Sequence, residues 1–252
     1  MDKNSSKYVL FFVTLMTITV ALVLTGLRQG TLETTKQNEA IFNKRAVLSA
    51  VNNHLGLEEG KTVKDMTDEQ VLEVFDTKVT QTVLDATGQV VEGVKAEAID
   101  MEKENKKDVA DRRLPLFQYE NDGNQFYIMS VRGKGLWDAI WGNIALESDV
   151  NTIAGASFDH KGETPGLGAE IKDNPAFADN FIGTQIYQDG KFKSVKVRKG
   201  GAQNDQYEVD GISGATVTAD GVDKMLREGI ALYLPYLETI KGEAMESMLF
   251  EK

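Results

Sequence analysis

Cysteine is absent from the 252-residue sequence, and histidine occurs only twice, as His54 and His160. A chain without cysteine has no disulfide framework, no thiolate zinc site, no catalytic thiol and no cysteine-ligated iron–sulfur cluster. The two histidines are far apart in the sequence, so their spacing indicates no histidine-based metal cluster. Any redox chemistry of this chain would therefore depend on an organic group.

Basic residues are in the minority, and the formal net charge is −11. An acidic chain repels a phosphate backbone, so we expect no nucleic-acid partner. The hydrophobic fraction of 41% is ordinary for a globular protein. The length fits one good-sized domain, with or without an elaboration.

An uncharged apolar run, YVLFFVTLMTITVALVLTGL, extends over residues 8–27. As a helix it is long enough to cross a hydrocarbon core of about 30 Å. A cleaved signal peptide is the alternative, but the run is longer than a usual signal-peptide core and no A-x-A-like cleavage site follows it. We therefore predict a tail at residues 1–7 and a single transmembrane helix at residues 8–27. Basic residues lie on both sides of the run, so the charge count does not decide its orientation.

Two helices are predicted between the apolar run and the β-rich part of the chain. Apolar residues over 35–55 recur on one helical side, and Gly56 is a suitable stop. The sequence TDEQ at 67–70 is a capping-box pattern before a second, short helix. The charged run at 102–108 is typical of a solvated face. We predict a membrane-proximal helix and an α/β elaboration over residues 28–113 and assign this segment no function.

Residues 114–252 have the pattern of a β-rich domain. Two Asp-Gly turns, at 122–123 and 189–190, predict β-hairpins. Apolar residues at helical spacing over 222–237 predict a closing helix. Because strands and helix follow one another without regular βαβ alternation, we predict an α+β fold with a twisted, mainly antiparallel sheet and packing helices. The predicted strands are 115–119, 125–131, 140–147, 152–158, 184–187 and 192–198.

The heptapeptide DGISGAT at residues 210–216 directly precedes the helical pattern. Gly211 and Gly214 allow backbone conformations that a Cβ would forbid, so a bulky phosphorylated group can reach Thr216. Unpaired N–H groups and the positive end of the helix dipole favour phosphate at such a helix start. The simpler alternative is an ordinary helix cap with its loop.

The same segment also prompts a serine-hydrolase hypothesis, with Ser213 as nucleophile and His160 as base. The nucleophile elbow requires G-x-S-x-G, and Ala215 occupies the position of the last glycine. The residues before Ser213 also lack the expected entering strand. We therefore reject this hypothesis.

Two other segments have the composition of a binding site. Residues 160–170, HKGETPGLGAE, follow a predicted strand, and a flat ring could lie on this stiffened, glycine-containing loop with Leu167 as an apolar contact. A tight turn is the alternative. Residues 133–142 hold both tryptophans, Trp137 and Trp141; they could wall a pocket, although tryptophan is more often buried in the core.

The D-x-x-S-G-A-T motif at 210–216 and the E-T-P-G-L-G motif at 163–168 resemble the signatures of the FMN-binding domain family, and G-x-G-L-W at 133–137 fits the same family. The resemblance implies that Thr216 carries FMN through a phosphoester, installed from FAD by a separate flavin transferase, and that residues 114–252 form the FMN-binding domain. The candidate cofactor-binding residues are Thr216, Asp210, Ser213, Gly214, Ala215, Glu163, Thr164, Leu167, Gly168 and Trp137.

Together with the anchor, these motifs make the chain similar to the flavinylated subunits of membrane electron-transport complexes. The Na⁺-translocating NADH:quinone reductase is the better match, and the RNF complex is the alternative. The resemblance implies a bacterial inner-membrane protein with a cytoplasmic N-terminus and a periplasmic main domain. It further implies an electron relay among other membrane subunits, during NADH to ubiquinone or menaquinone transfer coupled to Na⁺ export, without an NADH site of its own. An anchored scaffold without redox function is disfavoured because Asp210, Ser213 and Thr216 are intact.

Overall fold

The computed structural model describes residues 5–250 and the side chains of residues 5–242. The first four residues of the predicted tail therefore lie outside the described residues. The chain divides into two compact units, Met1–Phe42 and Asn43–Lys252. The helices are α1 (Ser6–Ser49), α2 (Asp68–Lys78), α3 (Met101–Glu104), α4 (Glu170–Asp173), α5 (Pro175–Asp179), α6 (Thr216–Ala231) and α7 (Leu234–Phe250). The strands are β1 (Val79–Leu84), β2 (Leu114–Asn121), β3 (Asn124–Lys134), β4 (Ala139–Leu146), β5 (Ile153–His160), β6 (Tyr187–Gln188), β7 (Lys191–Phe192), β8 (Lys196–Arg198) and β9 (Glu208–Asp210).

Helix α1 contains the predicted apolar run, whose large side chains are exposed. Among the described residues it is the one helix long and apolar enough to cross a membrane. We predicted a separate second helix from residue 35, but α1 is continuous. The intervening segment contains no proline, and the hydroxyls of Thr31 and Thr35 donate to helix carbonyls one turn back, at 3.0 Å each. The helix ends at Ser49, before the predicted stop at Gly56.

The main sheet has five strands in the order β1-β2-β3-β4-β5, and every neighbouring pair is antiparallel. This confirms the predicted α+β fold with an antiparallel sheet. Strands β2 to β5 coincide with predicted strands to within a few residues. The β2–β3 hairpin turns through Asp122 (φ 51°) and Gly123 (φ 79°), and two residues with positive φ are what a tight two-residue hairpin requires.

Strand β1 was not predicted from the sequence. It pairs with β2 from Val79 opposite Tyr119 to Leu84 opposite Leu114. The helix before it was predicted correctly: Thr67 caps α2, its hydroxyl accepts from the Gln70 backbone N–H, and the Gln70 side chain accepts from the Thr67 N–H. Strand β1 lies within the segment assigned to an elaboration, whose boundary at residue 113 stays a prediction.

The second predicted hairpin is present but short. Strands β6 and β7 turn through Asp189 and Gly190, as the Asp-Gly pair predicts. The second strand was wrongly predicted to continue to residue 198. Ser194, with a φ of 64°, redirects the chain, and β8 pairs in parallel with β9 instead.

Helix α6 packs closely over β3. A Cβ on Gly133 would lie 2.7 Å from the Met225 side chain, and a Cβ on Gly229 would lie 2.7 Å from that of Val131. Glycine on each element therefore permits the close approach. The predicted helix over 222–237 is split because Pro235 cannot continue α6: its ring would clash with the carbonyl of Ala231, the last residue of α6. Proline is instead acceptable in the first turn of α7.

Candidate functional site

Three separate segments meet at one end of the main sheet. Strands β3 and β4 pair so that Gly133 lies opposite Ile140, and β4 and β5 pair so that Ile140 lies opposite His160. The β3–β4 turn and the loop after β5 are therefore neighbours. The third segment is the first part of α6: a Cβ on Gly221 would meet the carbonyl group of Lys134 and lie 3.4 Å from the Gly135 Cα.

The carboxylate of Glu163 lies where these segments meet and is buried, with 5% of the residue exposed. One carboxylate oxygen accepts a 2.9 Å hydrogen bond from the backbone N–H of Trp137. The other accepts a 2.6 Å hydrogen bond from the Thr218 hydroxyl. The backbone N–H of Glu163 donates to His160 Nδ1 at 3.1 Å. One side chain therefore links the β3–β4 turn, the loop after β5 and the first turn of α6.

Glycine provides the room for this buried carboxylate. A Cβ on Gly135 would lie 2.5 Å from a carboxylate oxygen of Glu163. A Cβ on Gly168 would meet the other carboxylate oxygen and lie 2.6 Å from the Thr218 hydroxyl. Any larger residue at either position would displace Glu163. This gives Gly168 a packing role in the loop.

Thr216 is the first residue of α6, which confirms that the 210–216 motif leads into a helix start. It is partly buried. Among the described residues, no side chain caps this helix, and its first turn contains no acidic residue. The amide groups of the first turn and the positive end of the helix dipole thus favour an anion here.

The rest of the motif shapes the approach to Thr216. Gly214 has a φ of 78°, a backbone conformation that favours glycine, and a Cβ there would lie 2.9 Å from Leu167 Cδ2, so the end of that side chain would have to move. Ala215 is buried, whereas Ser213 is exposed. Asp210 ends β9 and accepts a 2.7 Å hydrogen bond from the Ala202 backbone N–H, which fixes the adjacent 199–202 loop.

Strands β8 and β9 fix the motif from the other side. The Arg198 guanidinium contacts one carboxylate oxygen of Glu208 through two nitrogens, at 2.8 and 2.7 Å. Hydrogen bonding to Arg198 lowers the pKa of Glu208 from its ordinary value and favours the ion pair. The Gly211 backbone N–H donates to the Arg198 carbonyl at 2.7 Å. The start of the motif is therefore attached to this two-stranded sheet.

Two grooves adjoin Thr216 and share Gly214. The first groove is lined on one side by apolar side chains that are largely exposed, namely Leu136, Leu167 and Val217, and contains Glu163 and Thr218 at its base. The second groove is lined by the 199–201 loop and the 210–214 segment. The apolar side chains of the first groove suit the face of a flat ring, and the uncapped helix start between the grooves suits a phosphate. The residues present therefore fit a phosphorylated flavin.

Trp137 lies beside the first groove and is not a core residue, because 66% of it is exposed. Its indole N–H donates to the Thr164 hydroxyl at 3.1 Å. Trp141 is partly buried, and the Arg132 guanidinium lies 5.2 Å from its ring centroid. The two tryptophans therefore have different environments, and Trp137 is the one near the candidate site.

The structure brings the predicted site residues of the two motifs and Trp137 into one region, with Asp210 and Ser213 on the side of the second groove. Sequence reasoning did not identify Leu136 and Val217 as groove residues or Thr218 as the partner of Glu163. The repeated threonine in the stretch ATVT was the one sequence signal for Thr218. Among the described residues, no group of three or more histidine or acidic side chains could hold a metal ion.

Comparison with known proteins agrees with this geometry. The family model described as the FMN-binding domain matches residues 135–231, a range that contains all the candidate cofactor-binding residues. The fold and the site thus define a domain of the FMN-binding class.

The whole chain has named relatives. The C subunit of the Na⁺-translocating NADH-quinone reductase from Vibrio alginolyticus is 35% identical over 177 residues, which are 63% of this chain and 68% of that protein. The corresponding Pseudomonas aeruginosa protein is 28% identical over an alignment of 270 residues, which covers 96% of this chain and 99% of that protein. The crystal structure of the Parabacteroides distasonis protein of the same name has a TM-score of 0.70 and 36% identity, covering 81% of this chain and 95% of that one. The chain belongs to the C-subunit family of the Na⁺-translocating NADH-quinone reductase.

Proposed function

We propose that Thr216 carries FMN through a phosphoester bond to its hydroxyl oxygen. The observation that carries this proposal is the position of Thr216, at an uncapped helix start and beside both grooves. A flavin transferase would use FAD as the donor: the threonine oxygen bonds to the flavin phosphorus, the pyrophosphate P–O bond of FAD breaks, and AMP leaves and takes up the hydroxyl proton. The residue thereby gains FMN less one water.

The neighbouring hydroxyl groups are poorer acceptors. Thr218 is fully buried, and its hydroxyl is bonded to Glu163 at 2.6 Å, so it is not accessible to a transferase. Ser213 is exposed, but it lies in the loop before α6 and is not the first residue of the helix. The geometry thus favours Thr216 among the three.

The groove next to Thr216 supports a place for the flavin ring. Leu136, Leu167 and Val217 offer apolar surface, and burial of this surface under a ring is favourable. Trp137 and Thr164 border the groove through their mutual hydrogen bond. Bound FMN supplies electron transfer, and these residues exclude water from the ring and hold it in place.

We further propose that the chain is an electron-relay subunit of a membrane NADH:quinone reductase that exports Na⁺. Its relatives bear the name of that complex, and the domain match is to FMN binding. Helix α1 would anchor it in the bacterial inner membrane as a single span, with a cytoplasmic N-terminus and a periplasmic FMN-binding domain. Neighbouring membrane subunits would deliver and accept the electrons, and NADH would bind elsewhere in the complex.

The experiment uses the full-length chain produced with and without an active flavin transferase. Intact mass and in-gel flavin fluorescence are measured for wild type, Thr216→Ala and Ser213→Ala. The proposal predicts a mass increase of FMN less one water in wild type and in Ser213→Ala, mapped to Thr216, and none in Thr216→Ala. Covalent flavin that persists in Thr216→Ala would contradict it, as would an unmodified wild type when a control substrate is modified.

A further inference from the structure

Two threonines of the same helical turn have opposite environments. Thr216 lies beside the grooves and is partly buried, whereas Thr218 is fully buried. Both line the first groove, but Thr218 is enclosed at its base while Thr216 is partly accessible. Successive side chains on a helix point in different directions, so two residues of one turn can serve different purposes.

The Thr218 hydroxyl joins α6 to a segment that is remote in the sequence. Its 2.6 Å hydrogen bond to Glu163 spans 55 residues of chain. The bond has a charged acceptor and is enclosed, because a Cβ on Gly168 would meet both partners. Hydrogen bonds to charged groups are stronger than neutral ones, and a buried acceptor that loses its donor is costly.

The carboxylate of Glu163 also connects Thr218 to Trp137. Glu163 also accepts from the Trp137 backbone N–H at 2.9 Å, and the Trp137 indole donates to Thr164, the residue after Glu163. The Thr218 hydroxyl, Glu163 and Trp137 thus form a chain of contacts from the first turn of α6 to the wall of the first groove. Removal of the Thr218 hydroxyl should therefore weaken the hydrogen bond of the Trp137 backbone N–H.

We infer that Thr218 is a positioning residue for flavin attachment: its hydroxyl, through Glu163, holds the first turn of α6 with Thr216 against the 163–168 loop and Trp137. This inference rests on the proposed attachment of FMN to Thr216. Thr218 lies at the base of the first groove, but it is fully buried and its hydroxyl is bonded to Glu163, so it acts through Glu163.

Two substitutions separate the hydroxyl from the bulk of the side chain. Thr218→Val keeps the branched shape and removes the hydroxyl, whereas Thr218→Ser keeps the hydroxyl and removes a methyl group. If the hydrogen bond matters, serine preserves the wild-type behaviour and valine does not. If Thr218 serves only to fill space, the order is reversed. Circular dichroism of the full-length chain reports whether both variants fold.

The first measurement is independent of flavin. Hydrogen–deuterium exchange is followed by mass spectrometry on the unmodified full-length chain, in peptides containing Trp137 and residues 163–168. We expect exchange to be about tenfold faster in Thr218→Val, which corresponds to the loss of one hydrogen bond to a buried charge. Exchange in Thr218→Ser should stay close to that of wild type.

The second measurement is the initial rate of covalent flavin incorporation, with purified transferase and FAD. We expect a rate about tenfold lower for Thr218→Val and a near-normal rate for Thr218→Ser. Wild-type exchange and incorporation in Thr218→Val would overturn the inference. Slower incorporation with unchanged exchange would also overturn it, because Thr218 would then act on the transferase and not on the loop.

The two proposals fail in different ways. A wild-type chain that takes up no flavin would contradict the attachment itself and the positioning role with it. A wild-type chain modified at Thr216, with a Thr218→Val variant that is equally modified, would contradict the positioning role alone.

Discussion

The Tyr233 hydroxyl lies 2.9 Å from the carbonyl oxygen of Ser130 in β3. It also lies 3.0 Å from the carbonyl oxygen of Pro115 in β2. Tyr233 is buried between α6 and α7, and burial raises the pKa of its phenol, so the hydroxyl remains a donor. The hydroxyl proton is thus shared between carbonyl groups of two neighbouring strands, and this bond attaches the chain just after α6 to the sheet.

Replacing Tyr233 by Phe should lower the free energy of unfolding by about 1–2 kcal/mol, because two buried carbonyl groups lose their shared donor. Urea unfolding of the full-length chain in detergent measures the change. Tyr236→Phe is the matched control: Tyr236 is partly exposed and accepts a 3.2 Å hydrogen bond from Gln118, which water can replace. Equal destabilisation by the two changes would contradict the assigned role of Tyr233.

Gly168→Ala should damage the site, because the new Cβ would meet Glu163 and lie 2.6 Å from the Thr218 hydroxyl. We expect a loss of about 1–3 kcal/mol in the free energy of unfolding, typical of overpacking, and a lower yield of covalent flavin. Gly162→Ala, six residues earlier, is the control, since nothing lies within 4 Å of a Cβ there. The expectation fails if the two alanine variants retain the same flavin content.

Glu163→Gln should raise the midpoint potential of attached FMN. Reduction adds negative charge to the ring, and a nearby carboxylate opposes it. Glutamine can accept from the Trp137 N–H and donate to the Thr218 oxygen, so the change removes charge while both contacts persist. Spectroelectrochemical titration should show a rise on the order of tens of millivolts. Glu147→Gln, at an exposed position, is the control, and unchanged potentials in both variants would exclude an electrostatic role for Glu163.

Asp149 should make stability depend on pH. Partial shielding of its carboxyl group from water would by itself raise its pKa, but hydrogen bonds from Thr152 and Asn151 outweigh this and lower the pKa from its ordinary value. These bonds stabilise a turn in which Val150 has a φ of 48°, a strained conformation for a β-branched residue.

A carboxylate with a lowered pKa contributes stability above its unfolded pKa and loses it as the pH falls through the folded value. Asp149→Asn should therefore cost about 0.5 kcal/mol near pH 7, a small amount because the residue is exposed. The difference from wild type should start to shrink as the pH falls below about 4 and should disappear below the folded pKa. Urea unfolding at a series of pH values measures it, and a difference that is the same at every pH would contradict this account.

Local sequence signals predicted the elements whose causes are local. The Asp-Gly pairs at 122–123 and 189–190 predicted both hairpin turns, and the Thr67 capping box predicted the start of α2. Strands β1 and β9 were missed because short strands are defined by their partners, which lie elsewhere in the chain. The bond between Glu163 and Thr218 was missed for the same reason. Each residue belongs to a recognisable sequence motif, but their contact depends on the fold.

The order of strands in the main sheet has a consequence for the timing of maturation. Each strand pairs with its neighbour in the chain, so the sheet can assemble progressively as the polypeptide is synthesised from its amino terminus. The surroundings of Thr216 draw on Trp137, Glu163 and Thr218, and the last of these is made after all five strands. Nascent chains in which residue 218 has not yet emerged from the ribosome lack a complete site. Flavin attachment should therefore be a late, post-translational step that selects fully folded molecules.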